Sequence, residues 1–141
     1  MQGTMRKPPR RELELARVLL VDDDLASRLA LQAVLEAGGY FVDSAASAAE
    51  AVGKLDERQY ELVLSDLQME SPEAGLKVIA HARLMEYKPA TAILTTYRTT
   101  HAADHPPYLI ESEDLPNLLG KVADLISQRA ARIVERQLKQ A

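Results

Sequence analysis

Two short apolar runs, each stopping at carboxylates, constrain this chain more than anything else in it. Val18-Leu19-Leu20-Val21 leads into Asp22-Asp23-Asp24, and Leu62-Val63-Leu64-Ser65 leads into Asp66. Neither run alternates polar with apolar residues. A continuous apolar strand is buried on both faces, which is the habit of a parallel sheet covered by helices on either side. In such sheets ligands gather outside the carboxyl ends of the strands. Asp22, Asp23 and Asp66 are therefore expected to meet at one sheet edge, where clustered carboxylates suit a hard divalent cation.

The rest of the chain repeats the strand–helix alternation. Strands are expected at 17–21, 40–43, 61–65, 91–96 and 108–110. Helices are expected at 25–37, 48–58, 75–85 and 115–140. In the first helix Leu25, Leu29, Ala30, Ala33 and Val34 recur at helical spacing and are expected to face the core, and Gly38-Gly39 stops it. In the third, Leu76, Ile79, Ala80 and Leu84 are expected to do the same. Ser44 or Ser47 caps the second helix, and Asp24 the first. The stretch 97–107 is polar, holds two prolines and shows no apolar period, so it reads as loop. This pattern predicts an α/β fold, a flavodoxin-like doubly wound five-stranded parallel sheet. Its fourth helix is expected to be short or absent and its last helix extended.

Composition narrows the function classes. Of 141 residues, 47% are hydrophobic and 27% charged, as in a globular domain. There is no Cys, which excludes disulfides, thiolate metal sites and Cys nucleophiles. No run is long enough to cross a bilayer, so no membrane association is expected, and a cytoplasmic location is. Residues 16–126 hold 18 acidic against 9 basic side chains, whereas both ends are basic. An acidic body argues against nucleic acid as a direct ligand. Three parts are expected: a flexible basic extension over 1–15, the domain over 16–128, and a C-terminal extension of the last helix over 129–141. No phosphate-loop or dinucleotide-binding glycine pattern is present, and the histidines His81, His101 and His105 lack metal-ligand spacing.

With these residues in view, 16–128 resembles the receiver domain of two-component response regulators (the CheY-like superfamily), as an atypical member. The resemblance rests on four parts in order: Val18-Leu19-Leu20-Val21-Asp22-Asp23; Leu62-Val63-Leu64-Ser65-Asp66-Leu67-Gln68-Met69; Ile93-Leu94-Thr95; and Tyr108-Leu109. It implies that Asp66 is the phospho-acceptor. It further implies that Mg²⁺ is held by Asp23 directly, by Asp22 largely through water, by Asp66, and by the backbone carbonyl of Gln68. Thr95 is implied as the hydroxyl that reaches the phosphoryl group, and Tyr108 as the switch aromatic. The implied partner is a histidine kinase or another signalling protein. The chain is then not an enzyme beyond self-phosphorylation and self-dephosphorylation of Asp66.

The sequence departs from that pattern at three places. The family carries Lys then Pro at the end of the fifth strand, and here Glu111 and Ser112 stand there. Only 16 positions separate Thr95 from Glu111, whereas the family usually spends a few more there, enough for a full fourth helix. Glu70 stands where the family often has Pro, and is expected to add negative charge beside the site. Arg98 and Lys88 are the candidates to replace the lysine, Arg98 the better one. The expected function is a stand-alone response-regulator receiver in a phosphorelay. The alternative is a phosphorylation-independent pseudo-receiver, a protein–protein interaction module. A phosphatase built on Asp66 fits less well, since Leu67-Gln68 supplies no second acid. The stripe Ile133, Val134 and Leu138 on the helix extension suggests a homodimer through the C-terminal helix.

Overall fold

The computed structural model describes residues 16–67, 69–71, 73–95, 109–111 and 115–140. Five strands form one parallel sheet: β1 (Arg17–Val21), β2 (Phe41–Ala45), β3 (Leu62–Asp66), β4 (Ala90–Thr95) and β5 (Leu109–Glu111), in the order β2-β1-β3-β4-β5. Among the described residues four helices accompany them: α1 (Leu25–Ala37), α2 (Ala48–Glu57), α3 (Ala74–Leu84) and α4 (Leu115–Gln140). This is the expected doubly wound α/β architecture. The expected flexibility of 1–15 and the short fourth helix between β4 and β5 fall on residues outside those described.

The continuous apolar runs are buried on both faces, as a covered parallel sheet requires. Val18, Leu20, Leu62, Leu64, Leu94 and Ile110 pack on one side with Leu31 and Leu35 of α1 and with Leu118 and Val122 of α4. Leu19, Val21 and Val63 pack on the other with Ala51 and Leu55 of α2 and with Val78 and Ala82 of α3. Each such fully buried leucine or valine contributes about 1.5–3 kcal/mol.

The helix faces differ from the sequence reading. In α1 the buried residues are Leu31 and Leu35, while Leu25 and Leu29 are more than half exposed. Ala30 and Ala33 are exposed as well. In α3 the buried residues are Ala74, Gly75, Val78, Ile79 and Ala82, leaving Leu76 and Leu84 exposed. Both helices carry two apolar stripes, and the one that meets the sheet is set by the direction in which the preceding loop launches the helix. Periodicity alone cannot rank two stripes of similar strength.

The loops are closed by local chemistry. The Asp24 side chain caps α1 by accepting from the Ser27 amide at 2.9 Å. Ser47 caps α2, accepting from the Glu50 amide at 3.1 Å, while the Glu50 carboxylate accepts from the Ala46 amide at 2.8 Å. Gly39 takes φ 101 after α1, a backbone angle that favours glycine. Below β2 the Tyr60 hydroxyl donates to Asp43 at 2.8 Å. Burial, and then that carboxylate, push the Tyr60 phenol above its ordinary range.

Candidate functional site

β1 lies between β2 and β3, so the chain leaves the sheet in opposite directions after neighbouring strands, which opens a crevice at their carboxyl ends. Val21 pairs with Ser65 across β1 and β3. The residues that follow, Asp22 and Asp23 on one side and Asp66 on the other, are thereby brought together. One carboxylate oxygen from each of Asp22, Asp23 and Asp66 lies within 4.8 Å of the others. Asp22 is buried at 3% exposure, Asp66 is half-buried and Asp23 is exposed, so the cluster opens to solvent on one side.

The first of these carboxylates is held in place. Asp22 Oδ1 accepts from the Asp24 amide at 3.0 Å, and the Asp22 amide donates to the Ala45 carbonyl at 3.0 Å. Arg28, in the first turn of α1, donates from Nη1 to the Asp22 carbonyl at 2.8 Å. This guanidinium at the edge of the acidic cluster was not singled out in the sequence. Its signal is its place on the first turns of a helix that follows the aspartates, from which a long side chain folds back over the loop.

Asp66 is fixed from the opposite side. It pairs with Leu94, and the following Leu67 amide donates to the Leu94 carbonyl at 2.9 Å. Gly75, at the start of α3, sits directly against it: a Cβ added there would lie 2.3 Å from the Asp66 carbonyl oxygen and 3.3 Å from Ser65 Oγ. Thr95, buried at 2% exposure, ends β4 and pairs with Glu111 at the end of β5. Glu111 therefore belongs to the fifth strand, which is displaced by one residue from its expected 108–110. Gln68, Tyr108, Thr96, Arg98 and Ser112 lie outside the described residues.

Glu70, expected to add charge beside the site, has a partner: its Oε2 accepts from the Ala48 amide at 3.1 Å, at the N-terminus of α2, where a carboxylate is favoured by the helix dipole. One sequence expectation about charge is corrected. Lys88 cannot stand in for a lysine at the site. It precedes β4 at the opposite end from Thr95, and the six residues of that strand span about 20 Å. Of the histidines, His81 pairs with Asp56 at 2.9 Å, away from the acidic edge.

The family model for the response regulator receiver domain matches residues 18–105. The chain belongs to this receiver family. Among curated relatives, the transcriptional regulatory protein ZraR of Escherichia coli O157:H7 is 31% identical over 107 residues, covering 72% of this chain and 24% of that protein. ResD of Bacillus subtilis is 36% identical over 78 residues, covering 55% of this chain and 31% of the relative. The receiver thus spans about a quarter to a third of these regulators' length. Among solved structures, the response regulator TrrA of Thermotoga maritima, in complex with Mg²⁺ and BeF, has a TM-score of 0.65 at 32% identity, covering 79% of this chain and 99% of that one. A CheY-like receiver from Methanospirillum hungatei superposes with a TM-score of 0.68 at 22% identity, over 84% and 99% of the two chains, and supports the fold.

The three carboxylates pass a simple test of fit for the Mg²⁺ that receivers generally bind. Mg²⁺ is held by one or two carboxylates and keeps several waters, and a cluster that is buried at Asp22 and open at Asp23 leaves room for them. Among the described residues no helix is long and apolar enough to cross a membrane.

Proposed function

We propose that this receiver accepts a phosphoryl group on Asp66 from a phosphorylated histidine kinase or a small phosphodonor. The observation that carries the reading is the convergence of Asp22, Asp23 and Asp66 within 4.8 Å at the crevice beside β1. A carboxylate oxygen of Asp66 attacks phosphorus, forming the acyl-phosphate O–P bond as the bond to the donor's leaving group breaks. The leaving imidazole or acetate departs with that electron pair. Asp22, Asp23 and Asp66, with the Gln68 carbonyl, would hold Mg²⁺. When bound, the cation neutralises the charge of two anions that must meet. The buried Thr95 hydroxyl, at the end of β4, then donates to a phosphoryl oxygen. In this reading the chain has no other catalytic activity and works in the cytoplasm.

The expected result is specific. With Mg²⁺ and acetyl phosphate the intact protein gains one phosphoryl mass. With beryllofluoride the amides around Asp66 and Thr95 shift. Both responses vanish in Asp66→Asn. Full silence of the parent at millimolar reagent would overturn phosphoacceptance.

A second reading has one observation in its favour. Glu111 pairs with Thr95 at the carboxyl end of β5, where the family places a lysine. On that reading the chain is a pseudo-receiver that signals through protein contacts without phosphorylation. Silence toward acetyl phosphate and beryllofluoride, with the fold intact, is its signature.

For the contact surface, α4 offers a lead. It runs for 26 residues, about 39 Å, and its far half carries Val134 and Leu138 at 53% and 71% exposure. A homodimer through this helix buries that stripe. Sedimentation of the double variant Val134→Gln, Leu138→Gln is expected to show a monomer where the parent is a dimer. Identical behaviour of the two removes the dimer.

A further inference from the structure

The basic C-terminal extension meets two cations of the acidic body at one exposed place. At the amino end of β4, opposite the aspartate cluster, a cavity of about 370 Å³ is lined by Arg83, Lys88, Arg132 and Arg136, with Pro89 and Leu125 among its apolar walls. Among the described residues no carboxylate lines it. Among the described residues the ion pairs are Arg17–Asp43, Arg58–Asp43 and His81–Asp56, so none of the four cations is neutralised by one.

The cavity is built from three separate parts of the chain, and its geometry is held. Arg83 ends α3. Lys88 takes φ 45, a left-handed angle uncommon for a residue with a side chain, and its Nζ donates to the Arg83 carbonyl at 3.0 Å. Arg129 locks this turn to α4, donating from Nε to the Lys88 carbonyl at 2.9 Å and from Nη2 to the Tyr87 carbonyl at 2.7 Å. Arg132 and Arg136 follow on the same helix at spacings of three and four, which puts them on one face. The extension of α4 past the sheet thus delivers arginines to a turn that α3 and β4 already present.

Four cations facing one cavity repel one another unless an anion lies between them. Guanidinium groups match phosphate oxygens in a planar, bidentate fork, and three of the four cations are arginines. The volume falls in the range of small-molecule sites, about 300–1,000 Å³. A concave, partly apolar cavity also suits a compact ligand better than an extended duplex. We propose that this cavity binds a small polyphosphate, of the class of inorganic pyrophosphate or a nucleoside polyphosphate, at a site separate from the Asp66 cluster.

The test follows amide shifts of Lys88, Ala90 and Thr91 in the full chain, without divalent cations, on titration with pyrophosphate, ATP, adenosine and an oligoglutamate peptide. Pyrophosphate and ATP are expected to shift these amides, and adenosine is not. Tighter binding of ATP identifies a nucleotide ligand with its ring on Leu125 and Pro89, and equal binding identifies inorganic polyphosphate. Both outcomes support the site. The double variant Arg132→Gln, Arg136→Gln lies on exposed positions and is expected to keep its melting temperature while losing roughly tenfold or more in affinity for pyrophosphate. Silence toward both phosphates overturns the proposal. So does affinity unchanged in the double variant. Preference for oligoglutamate over both phosphates overturns it too, in favour of an acidic protein partner.

Discussion

Gly75→Ala is expected to be the most damaging single-methyl change in this receiver. The added Cβ meets the Asp66 carbonyl oxygen at 2.3 Å, a distance that real Cβ contacts essentially never show. The atom in its way is backbone in the middle of a paired strand end, so no side chain can rotate aside. Either α3 lifts from the sheet or the end of β3 moves. Lifting α3 costs burial of Val78 and Ala82 against Leu19, Val21 and Val63. Overpacking of this kind costs about 1–3 kcal/mol. Moving β3 instead shifts Asp66 relative to Asp22 and Asp23, which lies on the link from packing to function. Both routes are measurable. Thermal unfolding is expected to fall by several degrees, and Mg²⁺ affinity, followed by amide shifts at Asp23 and Asp66, is expected to weaken roughly tenfold or more. A variant with parental stability and parental Mg²⁺ affinity shows that the close approach of α3 does not position the acceptor. Gly53→Ala is the matched control, since nothing beyond its own stretch of helix lies within 4 Å of its added Cβ among the described residues. It sits in the interior of α2, where alanine is favoured over glycine by about 1 kcal/mol.

The parts of this fold that were legible in the sequence are those with one dominant signal. β1 and α1 were read to the residue because a continuous apolar run, an aspartate cap and a Gly-Gly stop leave no competing boundary. The bounds of α4 were equally plain from a long unbroken period. The meeting of Asp22, Asp23 and Asp66 followed from strand ends in a parallel sheet, and the structure brings the three together. What escaped were questions of direction. α1 offers Leu25 and Leu29 as strongly as Leu31 and Leu35, and only the launch angle after Asp24 decides between them. The partner of Glu70 escaped too, because only the fold shows that α2 presents an N-terminal amide to it. Lys88 is seven residues from Thr95 in sequence, but an extended strand carries that interval to the opposite edge of the sheet. Gly75 gives no sequence signal at all, because its constraint is a contact with another element.

Glu111→Lys is expected to produce the largest gain at the site. The premise is the backbone register: Glu111 pairs with Thr95, and one strand further in, Leu94 pairs with Asp66. The ends of β3, β4 and β5 therefore lie side by side at the edge that holds three carboxylates. At that edge an anion disfavours both an incoming phosphodonor and the phosphoryl group once attached. Two like charges about 4 Å apart cost roughly 1 kcal/mol in water and roughly 4 kcal/mol near a protein surface, and reversing one charge converts that cost into attraction of similar size. Even the lower figure, counted on both the loss of repulsion and the gain of attraction, corresponds to about tenfold or more in affinity. The measurement is beryllofluoride binding with Mg²⁺ in the parent, in Glu111→Lys and in Glu111→Gln. The neutral variant is expected to fall between the other two, because it removes repulsion without adding attraction. The ordering should compress at high salt, as it must for charges that remain open to solvent. If all three bind beryllofluoride equally, the fifth-strand carboxylate has no electrostatic reach to Asp66. The departure from the family's lysine then bears on something other than phosphoacceptance. A parent that binds weakly and a lysine variant that binds tightly would instead place this chain between the two readings of its function. The acceptor would be complete in its carboxylates and tuned down by a single charge at the end of β5.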